Sequence, residues 1–245
     1  MSSIQEFYNT HAARYEEFEG EALQKRETYP LLYDIRHEER RLLERGEGKR
    51  VFSFATGSGQ DVASLAKSGA KVVTLDFSFE MIKRTCERLR KEGIGFMIGK
   101  NISYLTREFL DTFFEKNPRT VLILLGNIQD ISLPKDYFDY TFCYCTLPLL
   151  GREAIHTLKK LLFTSKNGAV SVYDKEKLPV LHTYYTEFGF NSAVSGRVLS
   201  LEGGFEYSAI PPADMKQIME QEKHLEIVES GLGKIYLWSE KPVTV

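Results

Sequence analysis

The stretch Val51-Phe-Ser-Phe-Ala-Thr-Gly-Ser-Gly-Gln60 sets two glycines, Gly57 and Gly59, directly after a short apolar run. A strand that ends in such a turn opens into a helix whose first N–H groups are free, so the backbone itself can cradle a ligand. On its own the turn also serves plain strand-to-helix packing. Asp76, which ends the next apolar run KVVTLD, points further, because a carboxylate there can accept both hydroxyls of a ribose. A dinucleotide asks for a third glycine that admits the helix close to the strand, and that position holds Val62. The pattern suits a nucleoside without phosphates, such as one carrying an amino acid. At the strand end, where turns that hold charged ligands usually carry an acid, stands Ser53.

Positioning these residues takes a sheet, and the sequence alternates accordingly. VFSFA (51–55), KVVTLD (71–76), TVLILLG (120–126), DYTFCYC (139–145) and GAVSVYD (168–174) have the length and apolar character of strands. Helical patterns over 61–67, 78–91 and 152–163 lie between them. Strand-then-helix order predicts a parallel sheet covered on both faces. Residues 1–47 read as helix broken near Tyr29-Pro30, and 93–117 contribute an extra helix over 105–116. Residues 176–223 hold a helix near 179–188, a hairpin turning at Gly203-Gly204 and a helix over 213–223. HLEIVESG and KIYLWSE form a closing hairpin. With no linker or internal repeat, residues 1–245 read as one domain, divided into segments 1–47, 48–175, 176–223 and 224–245.

Composition narrows the function classes. A net charge of -2 argues against a nucleic-acid surface. The densest basic segment, Arg36-His-Glu-Glu-Arg-Arg-Leu-Leu-Glu-Arg45, interleaves bases with acids at helical spacing and reads as a solvated helix face. No apolar run is long enough to span a bilayer and residues 1–21 lack a secretory layout, so the expectation is a cytoplasmic protein without membrane partners. Cys86, Cys143 and Cys145 read as core thiols, with no second Cys/His cluster to complete a metal site.

Taken together, VFSFATGSGQDVASLA, VVTLDFSFEMIKRTCERL and LLGNIQDISLPKDYFDYTFCYC resemble the Rossmann-like class I S-adenosylmethionine-dependent methyltransferases over residues 48–175. The resemblance implies a seven-stranded, mostly parallel α/β sheet with helices on both faces, an antiparallel strand in the C-terminal hairpin and an N-terminal helical lid. It implies S-adenosyl-L-methionine as cofactor. Ser53 and the backbone from Ala55 through Thr56 and Gly57 to Gly59 would follow the methionyl part and ribose, and Asp76 would bind the ribose hydroxyls. Phe77 and Met81 would wall the adenine, Asn127 would meet its amine with Ile128 beside the ring, and Tyr144 to Leu147 would lie near the sulfonium. FYNTHAARYEEF resembles the family's aromatic lid, in which Tyr8 and Tyr15 share a face and Tyr15 is the better cofactor contact. The chain departs from the family pattern at Ser53, Ala55, Thr56 and Asn127.

Methyl transfer draws its reactivity from the cofactor, so the protein chiefly aligns an acceptor, and no catalytic signature is required or seen. Tyr144, His182, Tyr184 and Tyr185 are the candidate bases or orienting groups. The segment after the fourth strand reads Cys145-Thr-Leu-Pro148 rather than the Asn-Pro-Pro-Tyr of amine-directed nucleic-acid methylases, and 176–212 is aromatic without a basic run. A small-molecule acceptor is therefore expected. Two other classes remain open on sequence: a cofactor sensor or scaffold that has lost catalysis, and an NAD-dependent oxidoreductase, which Val62 disfavours.

Overall fold

Apolar runs become buried strands when alternate residues find cover on both sides of a sheet. The computed structural model, which describes residues 3–100 and 102–240, shows this along its first half. Helices α1 (Ser3–Ala22) and α2 (Pro30–Leu43) precede β1 (Arg50–Phe54), α3 (Gln60–Lys67), β2 (Lys71–Asp76), α4 (Phe79–Lys91) and β3 (Gly95–Lys100). Then come α5 (Arg107–Lys116), β4 (Thr120–Leu125), β5 (Phe138–Tyr144), α6 (Ala154–Thr164), β6 (Ser165–Tyr173) and α7 (Leu178–Glu187). The chain continues through β7 (Ser192–Ser195), β8 (Val198–Leu201), β9 (Phe205–Ser208), α8 (Pro212–Glu222), β10 (His224–Ser230) and β11 (Gly233–Ser239).

Among the described residues the main sheet has eight strands in the order β10-β11-β6-β5-β1-β2-β4-β3, one more than the seven expected. The extra strand is β3, which pairs in parallel with β4 at the sheet edge. Its glycines, Gly95 and Gly99, and its exposed Met97 and Ile98 give it no buried period of two to read. Only β11 runs against its neighbours β6 and β10; the other pairs are parallel. Val51, Val72, Ile123 and Phe142 point to one core layer, and Phe52, Val73, Leu122 and Cys143 to the other. The expected hairpin at Gly203-Gly204 is β8–β9, extended by β7 into a separate three-stranded antiparallel sheet. Among the described residues no helix is long and apolar enough to cross a membrane.

Candidate functional site

The chain leaves β1 for β2 on one side and takes up β5 on the other, so strand order reverses between β1 and β5. Such a reversal opens a crevice at the carboxyl ends of the strands. Here it is a cleft of about 800 Å³, open solvent at its mouth included, walled by Ser53 to Ser58, Asp76, Phe77, Met81 and Tyr144 to Thr146. Both strands end in a left-handed residue with a side chain, Ala55 at φ 60° and Cys145 at φ 52°. Strain of this kind collects at ligand sites, where the surroundings hold it in place.

Asp76 is 5% exposed and sits on the cleft wall with no basic partner among the described residues. Its Oδ1 accepts the Ser78 N–H at 2.8 Å, and its Oδ2 accepts the Gly57 N–H and the Thr56 hydroxyl, each at 3.3 Å. Burial raises its pKa from 3.8 to about 6, against the pull of these three donors. An ionised carboxylate keeps lone pairs to spare in this arrangement, so it can still accept hydroxyls.

Helix α1 lies over the mouth. Gln5 Nε2 donates to the Phe77 carbonyl at 2.8 Å, the Ser78 hydroxyl donates to Asn9 Oδ1 at 2.7 Å, and Glu16 pairs with Arg84 and Arg88 of α4. On its other side Phe7 stacks on Phe205 with ring centroids 4.5 Å apart, and Phe18 on Tyr185 at 4.9 Å. Tyr8 and Tyr15 meet edge to face at 5.2 Å, and both line the cleft.

Of the twelve residues singled out in the sequence for the cofactor, Tyr15, Ser53, Ala55, Thr56, Gly57, Asp76, Phe77, Met81 and Tyr144 share the cleft wall. Gly59, Asn127 and Ile128 lie off it. Gly59 has φ 79°, and an added Cβ would stand 2.8 Å from the Thr85 Cα, so its smallness serves the packing of α3 on α4. Asn127 accepts the Gln129 N–H at 3.1 Å as the cap of a short turn, and Ile128 is buried in the far core layer. His182 Nδ1 is 2.6 Å from the Ser192 hydroxyl, which ties α7 to β7 away from the cleft. Tyr184 packs edge to face on Tyr29.

Two readings of the sequence are corrected. Cys143 is a core thiol, but the backbone turns at the end of β5 and brings Cys145 onto the cleft. Arg36 and Glu39 are not on a solvated face: they are 8% and 0% exposed, on the side of α2 that buries Leu32, Ile35 and Leu42, while Arg40, Arg41 and Arg45 stay exposed. Arg36 Nη1 donates to Glu39 Oε2 at 2.5 Å, and Nη2 is 3.7 Å from Asp61 Oδ2 and 3.8 Å from Glu19 Oε1. Glu39 also accepts the Ser171 hydroxyl, and Glu19 accepts the Ser58 hydroxyl at 3.3 Å. Burial raises the Glu19 pKa to about 7 despite Arg36. Glu19, Arg36 and Asp61 all line the cleft, and their pairing runs between three helices, where spacing along one segment carries no sign of it. A second cavity of about 340 Å³, open solvent included, adjoins it, sharing Tyr15, Glu19, Arg36, Tyr144 and Cys145 as a common wall and lined further by Phe18, Tyr173 and Tyr185.

Residues 52–163 match the family model of a methyltransferase domain. Over this span, just under half of the chain, the sequence is similar to a methyltransferase domain. The fold agrees: magnesium protoporphyrin IX methyltransferase from Synechocystis PCC 6803, solved with S-adenosylhomocysteine, aligns at a TM-score of 0.61 over 97% of this chain and 98% of its own, with 13% identity. A protein from Pyrococcus horikoshii OT3 aligns at 0.57 over 84% and 90%, with 18% identity. The CcbJ methyltransferase from Streptomyces caelestis aligns at 0.53 over 83% and 94%, with 14% identity. No curated protein sequence matches the chain.

The buried Asp76 gives the cleft a pH signature. Only the ionised Asp76 accepts two hydroxyls, and its pKa of about 6 leaves about a tenth of it ionised at pH 5. We expect nucleoside affinity, measured by calorimetry with S-adenosylhomocysteine, to rise about tenfold from pH 5 to pH 8. A flat profile would mean that Asp76 does not meet the ligand as a carboxylate.

Proposed function

We propose that this protein transfers the methyl group of S-adenosylmethionine to a small-molecule acceptor by direct in-line displacement. The observation that carries the reading is the pair of adjoining cavities: a nucleoside-sized cleft at the strand reversal, and behind its Tyr15–Tyr144 wall a smaller, aromatic cavity. The cleft fits the cofactor's chemistry. Asp76 offers a buried carboxylate for the ribose, Phe77, Met81 and Ile4 offer apolar walls for the adenine, and Gly57 leaves the turn without a side chain. When bound, S-adenosylmethionine supplies an electrophilic methyl carbon whose transfer leaves a neutral thioether.

The chain's own residues orient and exclude water. Helix α1 covers the cleft, and Tyr15, Tyr144 and Cys145 stand where the two cavities meet, so an acceptor in the smaller cavity faces the cleft across them. Alignment of this sort is worth a large share of a displacement barrier. Glu19, on the same wall with a pKa of about 7, can take a proton from an acceptor that must lose one. The enclosure by Phe18, Tyr173 and Tyr185 favours a small acceptor over a polymer strand. Val62, fully buried in α3 where a dinucleotide turn needs its third glycine, argues against an NAD-dependent oxidoreductase.

The test is calorimetry with S-adenosylmethionine and S-adenosylhomocysteine, followed by incubation of the protein with methyl-labelled S-adenosylmethionine and a fractionated cell extract. We expect binding, and label in the low-molecular-weight fraction. Absence of binding after removal of copurified ligand defeats the cofactor reading. Label confined to the protein or RNA fraction defeats the small-molecule reading, and binding without any transfer would favour a sensor.

A further inference from the structure

We infer that the amino-acid end of the cofactor is held by Arg36 of α2 and Asp61 of α3, which together replace the acid missing at Ser53. The inference rests on the S-adenosylmethionine reading above and adds the residues that recognise one half of that ligand. Among the described residues, two buried polar atoms on the cleft wall have no hydrogen-bond partner: Arg36 Nε, a donor, and Asp61 Oδ1, an acceptor. Leaving such an atom buried and unpaired is costly, and native structures rarely do so without a ligand or water to serve it. Arg36 is 8% exposed, so bulk solvent does not serve its Nε.

One unpaired donor and one unpaired acceptor match the two charged groups of an α-amino acid. The guanidinium would take the carboxylate and Asp61 the ammonium. The other acids are engaged already: Glu39 by Arg36 and Ser171, and Glu19 by Ser58. Charge agrees with this division. Glu19, Glu39 and Asp61 surround a single guanidinium, so the ammonium falls on the acid-rich side and the carboxylate on the guanidinium, and the zwitterion adds no net charge to the cluster. Among the described residues no group of three His, Cys, Asp or Glu could hold a metal ion. The residue at the end of β1 then needs no charge of its own, and Ser53 lines the same cleft as a neutral hydroxyl.

The test compares two ligands with the same nucleoside, S-adenosylhomocysteine and 5′-methylthioadenosine, of which only the first has the amino-acid end. Calorimetry on the full chain should show Asp61→Asn and Arg36→Lys weakening S-adenosylhomocysteine about 10- to 100-fold and leaving 5′-methylthioadenosine within about twofold, the loss expected for a hydrogen bond to a charged group. Asp61→Asn is close to isosteric, so it keeps the test alive if the Arg36 variant does not fold. Equal losses for both ligands, or an unchanged S-adenosylhomocysteine affinity in Asp61→Asn, overturn the inference. So does wild-type protein that binds both ligands equally well. If neither ligand binds wild-type protein, the cofactor reading itself fails and the inference falls with it.

Discussion

Asp76→Asn weakens S-adenosylhomocysteine binding about 100-fold, while the ligand-free protein at pH 8 melts at the same temperature as wild type or higher. The two effects have opposite signs for one reason. In the folded chain the carboxyl is 5% exposed with no cation beside it among the described residues, and its pKa is about 6 against 3.8 for the free side chain. The folded state therefore binds the proton more tightly than the unfolded state. Stability contributed by this group is present below pH 3.8 and is lost as pH rises to about 6. Above that, the buried charge costs on the order of 3 kcal/mol at 1.36 kcal/mol per unit, less whatever the three donors return on substitution. Asparagine removes the charge and its cost. It also replaces one of the two carboxylate oxygens with an amide donor and takes the charge from the other, a loss of about 1.5–3 kcal/mol for a charge-assisted hydrogen bond to a ribose. Melting curves from pH 5 to 8 with and without ligand check both halves; a variant that loses stability and affinity together would show Asp76 to be a structural acid.

Gly231→Ala is the second large effect, here on the fold. Gly231 turns the β10–β11 hairpin at φ 51°, and an added Cβ would lie 1.9 Å from the Leu31 carbonyl oxygen and 3.0 Å from the Ile35 nitrogen. Both are backbone atoms of α2, which cannot step aside without moving the helix. The left-handed φ costs about 1–2 kcal/mol for alanine, and forcing a methyl against packed backbone costs about 1–3 kcal/mol more. We expect the melting temperature to fall by about 5–15 °C at the usual 2–4 °C per kcal/mol for a chain of this size. Gly69→Ala is the control: φ is 82° and nothing lies within 4 Å of the added Cβ. Equal losses in the two variants would sink the contact argument and leave only the backbone term.

What the sequence made legible follows from how local the signal is. The first βα turn and Asp76 could be read because strand ends and turns are short-range features, and the fold brings them together at the reversal of strand order. Arg36 and Glu39 could not. Their charges alternate along α2 at the spacing of a solvated face, and what buries them is a set of partners from elsewhere in the chain, Glu19, Asp61 and Ser171. Asn127 shows the reverse case. It occupies the expected place after β4, where its Oδ1 caps the Gln129 turn and the residue lies off the cleft wall. The strand β3 escaped notice because an edge strand with two glycines has almost no burial to pattern it.

The placement of β11 bears on how the molecule is made. Strand β10 touches the sheet only through β11, which is inserted between it and β6, and the turn joining the two supplies the Leu232 N–H that meets the Leu31 carbonyl at 3.2 Å. During synthesis, α2 emerges early and waits for residues 231–239 before that contact can form. Contacts of such wide sequence separation come late and slow the search. Arg36 rides on α2, which packs on α3 at the cleft and on β10 and β11 at the far edge, so one helix ties the last hairpin of the chain to the cleft wall.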